Sequence, residues 1–127
     1  LEDRLRSHPL VSQVVVVGDA KPFIAALVTL DVESLPGWLS SHGKPAMSLE
    51  EALVDTDVLT SIDAGVQRAN RAVSRAESIR KFTLLPSDFT VANGYLTPSL
   101  KVKRSLVLGD FDDAVEALYA DGSEQHG

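Results

Sequence analysis

The chain has 127 residues, 44% of them hydrophobic and 24% charged, with no cysteine; that suits one globular domain over 1–127 and excludes a disulfide scaffold, a thiolate zinc site and a cysteine nucleophile. With 12 Lys+Arg against 18 Asp+Glu the net charge is −6, which argues against a general nucleic acid partner or attraction to an anionic membrane surface. No apolar run approaches the roughly 18 residues of a spanning helix and no signal peptide is recognisable, so the cytoplasm is the expected compartment.

Leu1 and Leu5 stand four apart with charges between them, so the chain reads as a piece entered partway through an amphipathic helix. His8-Pro9 breaks that pattern. Val11 to Val17 is a β-branched run ending at the turn residues Gly18-Asp19 and Lys21-Pro22, and Phe23 to Leu30 follows so closely that an antiparallel hairpin is expected. Both runs are too continuously apolar for a sheet with one wet face, so helices should cover both sides. Asp31 is placed to cap a helix over Val32 to Ser41, with Pro36 expected either in the first turn or as a break in the segment. Ser48 and Glu51 form a capping-box pattern. The main helix is expected over Asp57 to Ser78, where Ile62, Val66, Ala69, Val73 and Ala76 recur at helical spacing.

Arg80 to Leu85 alternates into a strand stopped by Pro86, Asp88 to Val91 reads as a short edge segment, and Asn93-Gly94 is a turn. Helix returns over Lys103 to Leu108, breaks at Gly109 and resumes over Phe111 to Tyr119, with residues 122–127 expected to be a disordered tail. The order implies an α+β fold: a small mixed sheet of about three strands with an antiparallel hairpin, wrapped by helices.

The net charge conceals a partition. Residues 1–63 hold 4 basic and 10 acidic groups, 64–104 hold 8 and 2, and 105–127 hold 0 and 6. The basic middle is either a surface for a phosphate-bearing ligand or a solvated helix face, carrying Arg68, Arg71, Arg75, Arg80 and Lys81, balanced by acids in space. Within it, Asn93-Gly94-Tyr95-Leu96-Thr97-Pro98-Ser99-Leu100-Lys101-Val102-Lys103-Arg104 joins turn residues, hydroxyls and a cationic cluster. Spacing alone reads equally as a loop with a solvated tip. His8, His42 and His126 are isolated and expected at the surface, and no metal site is expected. Walker and G-x-S-x-G patterns are absent. Asp110, Asp112 and Asp113 are expected to begin the last helix, and Trp38 to pack in the core or at its rim.

These residues resemble the carboxy-terminal domain of the adenylate-forming synthetases, and within them the bacterial long-chain fatty acyl-CoA synthetases. The likeness runs through Val14 to Asp19 and Pro22 to Val28, through Asn70 to Glu77 and Ile79 to Leu85, and is most specific over Asn93 to Arg104, which is similar to the family's terminal lysine motif. The resemblance implies a two-step reaction in which a fatty acid carboxylate attacks the α-phosphate of ATP, and the thiol of CoA then displaces AMP from the acyl-adenylate. It implies that Mg2+ and most of the ATP site belong to an amino-terminal adenylation domain, with this domain as a rotating lid that is inactive alone. Lys101 matches the lysine that meets phosphate and carboxylate during adenylation. Lys103 and Arg104 are assigned to loop anchoring or CoA phosphate contacts, Gly94 and Thr97 to loop shape and hydrogen bonding, and Lys101 is also a candidate for regulatory acylation. Two rivals stay open: a fatty acyl-AMP ligase or other adenylating enzyme with a carrier-protein acceptor, and a non-catalytic phosphate-ligand or protein-binding module. Chain-length preference, oligomeric state and peripheral membrane contact of the full-length enzyme are not legible.

Overall fold

The computed structural model describes residues 2–18, 21–74 and 77–120; Leu1, Asp19, Arg75, Ala76 and the expected 122–127 tail with His126 lie outside them. In chain order the elements are α1 (Glu2–Arg6), β1 (Val11–Val17), β2 (Ile24–Leu30), α2 (Leu35–Ser41), α3 (Leu49–Ala52), α4 (Thr56–Asn70), β3 (Ile79–Leu84), α5 (Arg104–Asp110) and α6 (Asp112–Ala120). The sheet order is β1-β2-β3. The hairpin is antiparallel and β3 joins β2 in parallel, the crossover running through α2, α3 and α4, so the sheet is mixed and the fold is α+β.

Central β2 is buried on both faces, as its unbroken apolar run requires. On one face Val14, Ala26, Val28 and Ile79 meet Leu5, Trp38, Leu39, Val58, Ile62 and Val66 from the helices α1, α2 and α4. On the other, Val15, Val17, Ala25 and Leu27 meet Leu85, Phe89 and Leu96, followed by Val107, Val115 and Leu118 of α5 and α6. The pairing Val11 with Leu30 and then Gln13 with Thr29 leaves Ser12 as one extra residue, a bulge in edge strand β1. Among the described residues no helix is long and apolar enough to cross a membrane.

Local signals act as the residues dictate. The Ser48–Glu51 capping box forms, and Asp55 accepts the Val58 amide at 3.0 Å to start α4. Asp31 accepts the amides of Glu33 and Ser34, holding a turn before α2, so the helix starts at Leu35 with Pro36 in its first turn instead of at Val32. α4 ends at Asn70, not Ser78. The Asn70 amide donates to the Ile79 carbonyl and accepts the Ile79 N–H, both at 2.9 Å, so the side chain serves as a pairing partner where β3 begins. Asp88 to Val91 is no strand; the Asp88 side chain accepts hydrogen bonds from Ser12 and Thr29 of the sheet, and Val91 begins a turn. The final helix breaks at Phe111 instead of Gly109, where the Phe111 ring packs 5.5 Å from that of Tyr95. Asp112 and Asp113 open α6, whereas Asp110 closes α5.

Candidate functional site

The segment from Tyr95 to Arg104 is a small closed loop. Leu96 and Val102 form an antiparallel bridge, the Thr97 amide donates to the Lys101 carbonyl at 2.8 Å, and the Leu100 amide donates to the Thr97 carbonyl at 2.7 Å. Thr97 fixes the tip a second time, since its Oγ1 accepts the Lys101 amide at 3.1 Å and lies 3.0 Å from Ser99 Oγ. Gly94 enters the loop at φ +90°, and Leu100, immediately before Lys101, stands at φ +67° while 65% exposed. A left-handed leucine costs about 1 kcal/mol relative to ordinary backbone. The strain sits beside the lysine, where tight turns serving a site commonly hold it.

Lys101 projects from this tip with an exposed side chain that has no ion-pair partner among the described residues. It lines a cleft of about 380 Å3 with Arg6, Val14, Val15, Leu100, Val102 and Arg104, so that the described lining residues include three cations and no carboxylate. Arg104 is anchored: its guanidinium donates to the Val16 carbonyl of edge strand β1. Such a cluster, set against apolar strand residues, can attract and orient an oxyanion. Lys103 is exposed and lies outside this cleft, and its backbone amide donates to the Tyr95 carbonyl at 2.8 Å. Under the loop, the rings of Phe89 and Tyr95 stand 5.4 Å apart, and Tyr95 Oη donates to Asp110 at 2.8 Å, a bond that raises the Tyr95 pKa.

Two further cations of the basic section lie elsewhere, and Arg75 is outside the described residues. Arg68 and Arg71 join Arg4, Ser7, His8, Gly65 and Ala69 around a separate cavity of about 510 Å3. His8 is not at the surface. It is 6% exposed, accepts the Leu10 amide at Nδ1 and lies 2.9 Å from Ser61 Oγ through Nε2. Burial, reinforced by the Arg68 charge, lowers its pKa. Gly65 permits this close approach, since a Cβ there would lie 3.1 Å from His8 Cδ2. His42 is exposed and stacks on Trp38, which is buried.

Of the residues singled out by sequence, Lys101 and Arg104 converge, Thr97 and Gly94 shape the turn, and Lys103 stands apart. Arg6 was missed, because nothing local tells that α1 will lie beside a loop almost a whole chain away. Among the described residues no group of three or more histidines and carboxylates could hold a metal ion.

A model of the AMP-binding enzyme C-terminal domain family matches residues 1–123. The long-chain-fatty-acid–CoA ligase FadD15 of Mycobacterium tuberculosis is 55% identical over 120 residues, covering 94% of this chain and 20% of that protein. The long-chain-fatty-acid–CoA ligase ACSBG2 of Gallus gallus is 33% identical over 141 residues, covering 97% and 18%. Among solved structures, the A-PCP didomain of carboxylic acid reductase from Segniliparus rugosus, in complex with AMP, matches with a TM-score of 0.72 and 25% identity, covering 98% of this chain and 16% of that one. The chain thus spans about a fifth of the length of the curated relatives it matches.

Proposed function

The chain belongs to the AMP-binding enzyme C-terminal domain family, and from that premise we propose that it is the mobile carboxy-terminal domain of a long-chain fatty acid–CoA ligase that supplies Lys101 to acyl-adenylate formation. The observation that carries this reading is a lysine without an ion-pair partner among the described residues, held at the tip of a doubly fixed turn beside Arg104. The 55% identity to FadD15 supports the choice of long-chain fatty acid, ATP and CoA as substrates.

In the first half-reaction a carboxylate oxygen attacks the α-phosphorus, the bond to the bridging oxygen breaks, and pyrophosphate leaves. Negative charge spreads over the phosphoryl oxygens, and a preorganised cation stabilises it in a site closed to water. Lys101 suits that role as a compact charge on a flexible stem. Arg104, tied to β1, holds the base of the loop, and Arg6 adds to the field. In the second half-reaction the CoA thiol attacks the acyl carbonyl and AMP departs. For that step the domain rotates and withdraws Lys101, a gating motion of the kind that separates half-reactions in lidded enzymes. The remaining ATP contacts, the acyl site and the Mg2+ that accompanies ATP are assigned to the amino-terminal adenylation domain, as the family resemblance implies. On this reading residues 1–127 alone are inactive, and the enzyme works in the cytoplasm.

The likeness to the A-PCP didomain favours one second reading, in which the same lysine serves an enzyme that passes its acyl group to a carrier protein. The full-length protein distinguishes them when given a long-chain fatty acid, ATP and Mg2+ with either CoA or a phosphopantetheinylated carrier. Acyl-CoA and AMP in equal amounts support the ligase. Acyl-adenylate that is discharged only to the carrier contradicts it.

A further inference from the structure

The lysine loop has little regular structure of its own, yet it is tied to the centre of the sheet through one carboxylate. Asp88 Oδ2 accepts from Ser12 Oγ at 2.6 Å, and Asp88 Oδ1 accepts from Thr29 Oγ1 and from the Phe89 amide, both at 2.7 Å. Ser12 is the extra residue of the β1 bulge, and bulges of this kind re-aim a side chain. Thr29 is fully buried in β2, and its Oγ1 also accepts the Gln13 amide at 2.9 Å. Bonds to a charged acceptor are roughly twice as strong as neutral ones. On its other side Asp88 reaches the loop through Asn93, whose Nδ2 donates to the Asp88 carbonyl at 2.8 Å while its Oδ1 accepts the amides of Thr90 and Tyr95. Tyr95 in turn accepts the Lys103 amide. The chain of contacts therefore runs from the bulge and β2 through Asp88 and Asn93 into both strands of the turn that presents Lys101.

We propose that Asp88 is a positioning residue for Lys101, fixing the lysine loop to the sheet so that the cation arrives in register when the domain closes. This rests on the adenylation reading of Lys101. A misplacement of about 1 Å far from the chemistry can cost up to about 10²-fold in rate, so a loop that Arg104 ties to β1 at its base and Asp88 ties to β2 at its entry should be sensitive to loss of the Asp88 carboxylate.

The test uses the full-length enzyme with Asp88→Ala, Asp88→Asn, Lys101→Ala and the Asp88→Ala/Lys101→Ala pair. Asp88→Ala should lower kcat for pyrophosphate release about 10- to 100-fold with KM for ATP little changed, and spare thioester formation from preformed acyl-adenylate. Asp88→Asn should recover most of the rate, because the amide oxygen still accepts from Thr29 and the Phe89 amide, and the new NH2 can donate to Ser12. In the Lys101→Ala background the Asp88 substitution should add nothing. Amide hydrogen exchange at Tyr95, Lys101 and Lys103 should accelerate about tenfold in Asp88→Ala while the β2 amides stay protected. If Asp88→Ala does not fold, Ser12→Ala gives the same pattern at smaller amplitude. Equal loss in both half-reactions, full additivity with Lys101→Ala, or unchanged exchange in the loop overturns the proposal. Pyrophosphate release intact in Lys101→Ala overturns the functional reading beneath it, and the exchange data then report the anchoring separately.

Discussion

One face of the sheet is closed by α1 to α4, whose apolar stripes interlock with Val14, Ala26 and Val28; the other is closed by the segment from Leu85 to Leu96 followed by α5 and α6. The helical face is held by burial, with Leu5, Val58 and Ile62 fully enclosed. The loop face also buries Phe89 and Leu96, but its outer part, from Asp88 to Lys101, is held by directional bonds from Asp88, Asn93 and Thr97. Burial resists unfolding without fixing any single atom, whereas directional bonds fix atoms at small net gain in stability. Burial thus closes both faces of the sheet, and on one of them directional bonds are added that set the shape of the turn carrying Lys101.

Ile62→Ala on the helical face should be the most damaging substitution for the fold. Removing this enclosed side chain should cost about 2–5 kcal/mol in urea unfolding, while any enzyme that remains folded keeps its ratio of the two half-reaction rates. Leu100→Gly sharpens the contrast from the other side. Glycine adopts φ +67° without strain, so stability should change by only about 1 kcal/mol or less, the relief being offset by greater freedom in the unfolded chain, yet pyrophosphate release should fall because the turn presenting Lys101 loosens. A thermal melt and a half-reaction assay on the same variant check both. The smallest effect belongs to His8. Its pKa is lowered in the fold, so the unfolded state binds the proton more readily, and stability should decline as pH falls below about 6.5 towards the depressed folded value. His8→Gln should flatten that part of the melting temperature profile between pH 7 and 5.

Where a local signal decides the structure, the chain was readable. The β-branched run Val11 to Val17 is β1 residue for residue, and the Ser48–Glu51 pattern is a capping box. Where a distant partner decides it, the chain was not. Ile79, nine residues beyond Asn70, ends α4 early by bonding its side chain, and Asp88 is drawn out of a strand by Ser12 and Thr29, 76 and 59 positions away. His8 carries no periodic sign that Gly65 and Ser61 will lie against it. The loop from Asn93 to Arg104 was visible as a cluster of turn residues and cations, but its spacing fitted a solvated tip equally well, and the resemblance to a lysine motif gave it chemistry. Arg6 entered only when the fold laid α1 beside the loop.

The most direct test follows pyrophosphate release from a long-chain fatty acid and ATP in the full-length enzyme carrying Lys101→Ala, beside thioester formation from preformed acyl-adenylate and CoA. The first should fall by about 10²- to 10³-fold, with the second half-reaction near the wild-type rate. If both half-reactions survive, Lys101 is not the adenylation cation, and the basic cleft is a binding surface without a part in the chemistry.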